Sequence, residues 1–153
     1  MEIALYQPDI PQNVGSSLRL AACMGTPVHI IEPCGFLFDD KRIRRAGMDY
    51  MDHVRLVRHT SWQAFCQWRE QQGKRLVLLT TKSSTPFPGF TFQPDDILMV
   101  GRESAGVPDE VAAYADARIR IPMAPPARSL NVVVSLAVVL GEALRQTAKF
   151  PQE

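Results

Sequence analysis

The sequence predicts an α/β fold with a mostly parallel sheet flanked by helices, and three observations carry that prediction. Two continuous apolar runs, "RLVLLTT" (75–81) and "DDILMVG" (95–101), read as strands buried on both faces. Segments of helical periodicity alternate with strand-like runs along the chain, the order expected of a parallel sheet. The 153 residues contain no internal repeat, low-complexity tract or linker, so residues 1–153 read as a single domain.

Taken in order, "EIALY" (2–6) is a short strand that ends before Pro8. "NVGSSLRLAACMG" (13–25) is a helix closed by Gly25, with Asn13 as its expected N-cap. "PVHIIEP" is the next strand, and "DDKRIRRAG" (39–47) a charged turn or short helix. "HVRLVRH" alternates as a strand does. "SWQAFCQWREQQG" places Trp62, Phe65, Cys66 and Arg69 on one helical face and stops at Gly73. A Pro/Gly/Ser loop, "KSSTPFPGF", and a short helix, "VPDEVAAYA", lie between the two apolar strands and a last strand, "ARIRIP". The final segment, "VVVSLAVVL", has strand propensity, but its apolar pattern continues through Leu144 and ends in basic residues. Length decides for a helix over about 129–147. A helix apolar on every side must be covered on more than one side, and one small domain offers few helices for this, so a second subunit is expected to supply part of the cover.

A net charge of +1 confines any nucleic-acid contact to a local basic patch. The three cysteines, Cys23, Cys34 and Cys66, show no C-x-x-C spacing and are expected to be buried thiols in a reducing cytosol. The N-terminus lacks the basic and apolar regions of a signal peptide, and no run is long enough to span a bilayer; a cytoplasmic protein is expected. No His/Cys/Asp/Glu cluster has metal-ligand spacing, so no metal is expected, and His29, His53 and His59 form no motif. Neither G-x-G-x-x-G nor a Walker A sequence is present.

Three loops at strand ends remain, where ligands bind in open parallel sheets. They are "QPDIPQNVGSSLR", "GRESAGVP" and "PMAPPARSLN". Gly101 and Gly106 would allow close backbone approach to a ligand, with Glu103 between them. Ser129 and Asn131 stand at a helix N-terminus, where free N–H groups can meet an anion, although either residue could serve only as a cap.

Read together, "NVGSSLR", "GRESAGVP" and "IPMAPPARSLNVVVSLAVVLGEAL" resemble, in this order, the motifs of the SpoU/TrmH-type branch of the SPOUT superfamily of RNA 2′-O-methyltransferases. The resemblance spans essentially the whole chain. "LYQPDIPQNVGSSLRLAA", "IIEPCGFLFDDKRIRRAGMDY" and "RIPM" further resemble the subgroup that methylates the ribose of the tRNA wobble nucleotide, cytidine or uridine 34. The resemblance implies a deep C-terminal trefoil knot, a homodimer formed through the C-terminal helix, S-adenosylmethionine as cofactor and tRNA as substrate. It places the cofactor among Leu79, Thr80, Gly101, Glu103, Ile121, Met123, Ser129, Leu130 and Asn131. It assigns catalysis to Arg19, Asn13 and Glu103. Arg19 could act as a perturbed base, or could orient phosphate and stabilise a developing alkoxide; the high intrinsic pKa of a guanidinium favours the second. Lys41, Arg42, Arg44 and Arg45 become candidates for phosphate contacts, against the alternative of a solvated turn flanked by its own aspartates.

The chain departs from that subgroup at Val133-Val134, where a polar Ser-Asn pair is usual, at Gly141, where tyrosine is frequent, and at Arg102, where proline is. Other readings of the same motifs are methylation of a different tRNA or rRNA nucleotide and a non-catalytic RNA-binding dimer. A flavodoxin-like nucleotide-binding protein is disfavoured by the missing phosphate fingerprint.

Overall fold

A computed structural model describes residues 1–39, 41, 45 and 50–153. Among the described residues, six strands form one sheet: β1 (Glu2–Tyr6), β2 (Val28–Ile31), β3 (Leu56–His59), β4 (Leu76–Leu79), β5 (Ile97–Val100) and β6 (Ala117–Ile119). Their order is β3-β2-β1-β5-β4-β6, and every neighbouring pair is parallel. Among the helices of the described residues are α1 (Pro11–Met24), α2 (Trp62–Gln72), α3 (Asp109–Tyr114) and α4 (Val132–Thr147).

The period of two along each strand divides the core into two layers. Ile3, Leu5, Val28, Ile30, Val77, Leu98, Val100 and Ile119 face α1 and α4, which contribute Val14, Leu18, Leu136, Leu140 and Leu144. Ala4, Tyr6, Ile31, Leu76, Leu78, Ile97 and Met99 face α2 and α3, which contribute Phe65 and Val111. A sheet covered on both faces is why its strands are continuous apolar runs rather than alternating ones.

Helix ends follow local chemistry. Ser61 caps α2 by accepting from the Ala64 N–H at 3.1 Å, and Gly73 ends it at φ +64°. Asn13 does not cap α1. That helix starts two residues earlier with Pro11 at its first position, which needs no N–H partner, behind an extended Ile10. The last helix starts at Val132, three residues later than expected. Asn131 is its cap, with Oδ1 accepting from the N–H groups of Val133 at 2.8 Å and Val134 at 3.2 Å. Within this chain α4 is buried along one face only; Val134 and Val138 remain 48% and 43% exposed.

At the far end of the sheet, Asp96 enters β5 fully buried. It accepts from Arg75 Nε at 2.8 Å and Nη2 at 2.6 Å, and from the Gln93 N–H at 2.8 Å. This paired carboxylate fixes where β4 and β5 begin. The cysteines are free thiols but not buried as expected: Cys23 is exposed, and Cys34 and Cys66 are partly so. Among the described residues, no helix is long and apolar enough to cross a membrane, and no group of His, Cys, Asp and Glu could hold a metal ion.

Candidate active site

Sheet order determines where the loops meet. From β1 the chain proceeds outward through β2 to β3, and β5 with β4 and β6 lies on the other side. The crevice beyond the carboxyl ends of β1 and β5 is therefore a topological switch point, the expected ligand position in a parallel sheet. Leu5 and Val100 pair in register there, so the loop after β1 and the loop after β5 leave the sheet side by side.

The loop after β5 is a closed hairpin. The Arg102 N–H donates to Gly106 O at 2.9 Å and the Gly106 N–H returns to Arg102 O at 2.8 Å. A Cβ on Gly101 would stand 2.7 Å from Gly106 C, and Gly106 itself sits at φ +63°. Glycine at 101 thus admits the hairpin's own backbone, rather than the ligand the sequence suggested. The Arg102 N–H used here is one that proline could not supply.

Glu103 is the hub. Its Oε1 accepts from Asn13 Nδ2 at 3.2 Å and its Oε2 from the Asp9 N–H at 3.0 Å. Asn13 Oδ1 in turn accepts from Asn131 Nδ2 at 3.3 Å. One residue from each of the three loops is thereby joined in a single chain of hydrogen bonds. Burial, and then Asp9, push the Glu103 carboxyl above the ordinary range, while hydrogen bonding with Glu103 and Ser104 holds Asp9 below it.

Beside this hub lies a cavity of about 840 Å³, lined by Asn13, Leu79, Thr80, Gly101, Glu103, Ile121, Met123, Ser129, Leu130 and Asn131. Every residue expected to hold the cofactor lines it. Arg19 does not. It is exposed on α1, with its guanidinium carbon 5.2 Å from the centre of the Tyr50 ring. Lys41 and Arg45 are exposed, and Arg42 and Arg44 lie outside the described residues. Sequence reasoning did not single out Asp9, nor the cations Lys82, Arg118 and Arg120, which line the cavity together with Arg102. Their only signal in the sequence is their place in a strand or just beyond its end.

The lining suits a nucleoside with a charged tail. Leu79, Ile121, Leu130 and Val132 offer apolar surface for a base. Thr80, Ser129 and the backbone of 101–106 offer polar groups, and Lys82 and Arg120 match a carboxylate. S-adenosylmethionine combines these parts, so the residues present fit it.

Fold and site define a class: a parallel-sheet protein whose switch-point loops line a cavity that fits a nucleoside cofactor. The SpoU rRNA methylase family model matches residues 1–141, and the chain belongs to that family. It is 63% identical over 144 residues to a tRNA (cytidine(34)-2′-O)-methyltransferase of Beijerinckia indica subsp. indica, covering 94% of this chain and 90% of the relative. A solved structure described as giving structural insights into the 2-OH methylation of C/U34 on tRNA matches with a TM-score of 0.88 and 41% identity, over 95% of this chain and 94% of that one. An AdoMet-bound rRNA methyltransferase from Sinorhizobium meliloti matches with a TM-score of 0.85 and 27% identity, over 94% of this chain and 55% of that one.

Proposed function

We propose that this protein is an S-adenosylmethionine-dependent methyltransferase acting on the ribose 2′-hydroxyl of nucleotide 34, cytidine or uridine, in the anticodon loop of tRNA. The observation that carries the reading is the hydrogen-bonded chain Asn131–Asn13–Glu103, which unites all three motif loops at the mouth of the cavity. The substrate assignment is supported by relatives of that activity that match nearly the full chain. Residues 1–153 act as one cytoplasmic domain, with the C-terminal knot of the family and a second copy docked on α4.

When bound, S-adenosylmethionine supplies a methyl group on a sulfonium, an electrophile that needs no further activation. The protein's work is then to position the ribose and handle one proton. Leu79, Thr80, Gly101, Glu103, Ile121, Met123 and 129–131 hold the cofactor. Asn13 and Glu103 fix the rim of the cavity where the hydroxyl arrives. Arg19 faces solvent, where RNA approaches. A guanidinium stays protonated near neutral pH, so Arg19 orients a phosphate and stabilises the developing alkoxide rather than taking the proton. Lys41, Arg42, Arg44 and Arg45 supply further phosphate contacts. An anticodon loop suits recognition by this domain, because its unpaired bases can be splayed and read.

Nucleoside mass mapping of tRNA from a strain lacking the gene tests the reading. Loss of 2′-O-methylation at position 34, restored by the wild-type protein and not by Arg19→Ala, is the expected result. Unchanged methylation at position 34 overturns it.

A further inference from the structure

The contacts around Glu103 include a residue outside the three motifs. Asp9 meets Glu103 twice. The Asp9 N–H donates to Glu103 Oε2 at 3.0 Å, and the Glu103 N–H donates to Asp9 Oδ1 at 3.2 Å. The Ser104 hydroxyl closes on Asp9 Oδ2. Each side of this clasp is braced separately. Behind Asp9 lies Gly35, whose N–H donates to Pro8 O at 2.9 Å and whose missing Cβ would stand 2.5 Å from Asp9 Cβ. Behind Glu103 is the closed Arg102–Gly106 hairpin.

We propose that Asp9 is a positioning residue for Glu103. It locks the Glu103–Ser104 backbone to the loop after β1 and occupies one carboxylate oxygen of Glu103 with its own N–H, so that the other oxygen is presented to Asn13. The consequence for turnover rests on the methyltransferase reading above; the effect on Glu103 does not. Burial and the neighbouring Asp9 raise the Glu103 carboxyl, while hydrogen bonding with Glu103 and Ser104 lowers that of Asp9. Asn13, from α1, also faces Glu103 and pulls in the opposite direction by donating to its carboxylate. The Cys34 thiol, on the loop after β2, senses Glu103 too, but burial pushes it up to about 11 and it stays neutral through the relevant range.

The test is a carbon-13 NMR titration of carboxyl-labelled glutamate in wild type, Asp9→Asn and Glu103→Gln, the last assigning the resonance. Methyl transfer to tRNA is measured alongside it for wild type, Asp9→Asn and Asp9→Ala. Asp9→Asn keeps an acceptor for the Glu103 N–H and removes the charge. The Glu103 midpoint is expected to fall, because Asp9 is one of the groups that raise it. Asp9→Ala is expected to lose turnover by about 10²-fold, as a misplaced rim would, and Asp9→Asn to regain most of it. A Glu103 midpoint that is the same with Asp and Asn at position 9 overturns the proposal, as does wild-type turnover in Asp9→Ala. If Asp9→Ala does not fold, the titration of Asp9→Asn still decides. If wild type transfers no methyl group to tRNA, the functional reading falls while the titration still judges the clasp.

Discussion

Asn13 donates to Glu103 across 3.2 Å although ninety residues separate them in sequence. The direction of this bond orders its neighbours. A carboxylate only accepts, so Asn13 must present its NH₂ to Glu103 and its carbonyl oxygen to Asn131. Asn131 in turn has its own oxygen committed to the N–H groups of Val133 and Val134, which leaves its NH₂ for Asn13. Capping α4 and shaping the rim are therefore one arrangement.

This polarity makes Asn13→Asp more damaging than Asn13→Ala. Alanine leaves Glu103 Oε1 and Asn131 Nδ2 without partners, at a cost of about 1–3 kcal/mol if neither finds water. Aspartate additionally sets a second carboxylate against Glu103. In steady-state methylation assays Asn13→Ala is expected to lose about 10²-fold in turnover, and Asn13→Asp more. Thermal unfolding should place Asn13→Asp lowest of the three proteins. A wild-type rate in Asn13→Asp would contradict the arrangement.

A buried polar chain crosses the opposite face of the sheet and sets its acid stability. Lys74 Nζ meets Glu2 Oε1 at 2.9 Å, His29 Nε2 meets Glu2 Oε2 at 3.0 Å, and His29 Nδ1 meets His59 Nε2 at 2.9 Å. Glu2 accepts only, so His29 donates to it from Nε2, and the contact between His29 Nδ1 and His59 Nε2 holds one proton between the two rings. Protonating both imidazoles would set donor against donor. Burial, and then His29, hold His59 below its ordinary range. Glu2 is held down at about 2 by its bonds to His29 and Lys74, which outweigh its burial. In both cases the unfolded chain binds protons more readily than the folded one, so stability falls with falling pH. The His59 contribution declines from about pH 6.5 downward, and that of Glu2 between about pH 4.5 and 2. Urea unfolding at a series of pH values checks this. His59→Gln should flatten the slope just below pH 6.5 and leave the lower limb in place; an unaltered slope would sink the assignment.

Much of the scaffold was legible because it depends on local pattern. The runs at β4 and β5, the Gly73 stop and the helical nature of 132–147 follow from period, length and end chemistry. The residues of the cavity were legible through their motifs. Pairings made across the sheet were not. Nothing in "QPDIP" tells that Asp9 will face Glu103, because that depends on β1 lying beside β5. His29 and His59 formed no sequence motif for the same reason: β2 and β3 bring them together from thirty residues apart. The start of α1 was misjudged because Pro11 competes with Asn13 for the first turn, and proline needs no side-chain cap. The exposure of Arg19 depends on how α1 is rolled against the sheet, which its motif does not encode.

The outer face of α4 carries the proposal of a homodimer to a test. Val134, Val138, Gly141 and Arg145 follow one another at helical spacing along that side. A Cβ on Gly141 would meet nothing within 4 Å in this chain, so packing inside the chain gives no reason for a residue that costs a helix about 1 kcal/mol relative to alanine. A second copy packed against this stripe gives one: glycine lets the two helices approach closely between the valines and Arg145. Wild type is then expected to sediment as a dimer at micromolar concentration and Val138→Asp as a folded monomer. Gly141→Ala separates the two situations further. On a free surface it raises thermal stability by about 0.5–1 kcal/mol. At a close interface it weakens the dimer, and the midpoint of unfolding falls with dilution more steeply than in wild type. A wild-type protein that stays monomeric, with Gly141→Ala simply more stable, would show that α4 has no partner of its own kind.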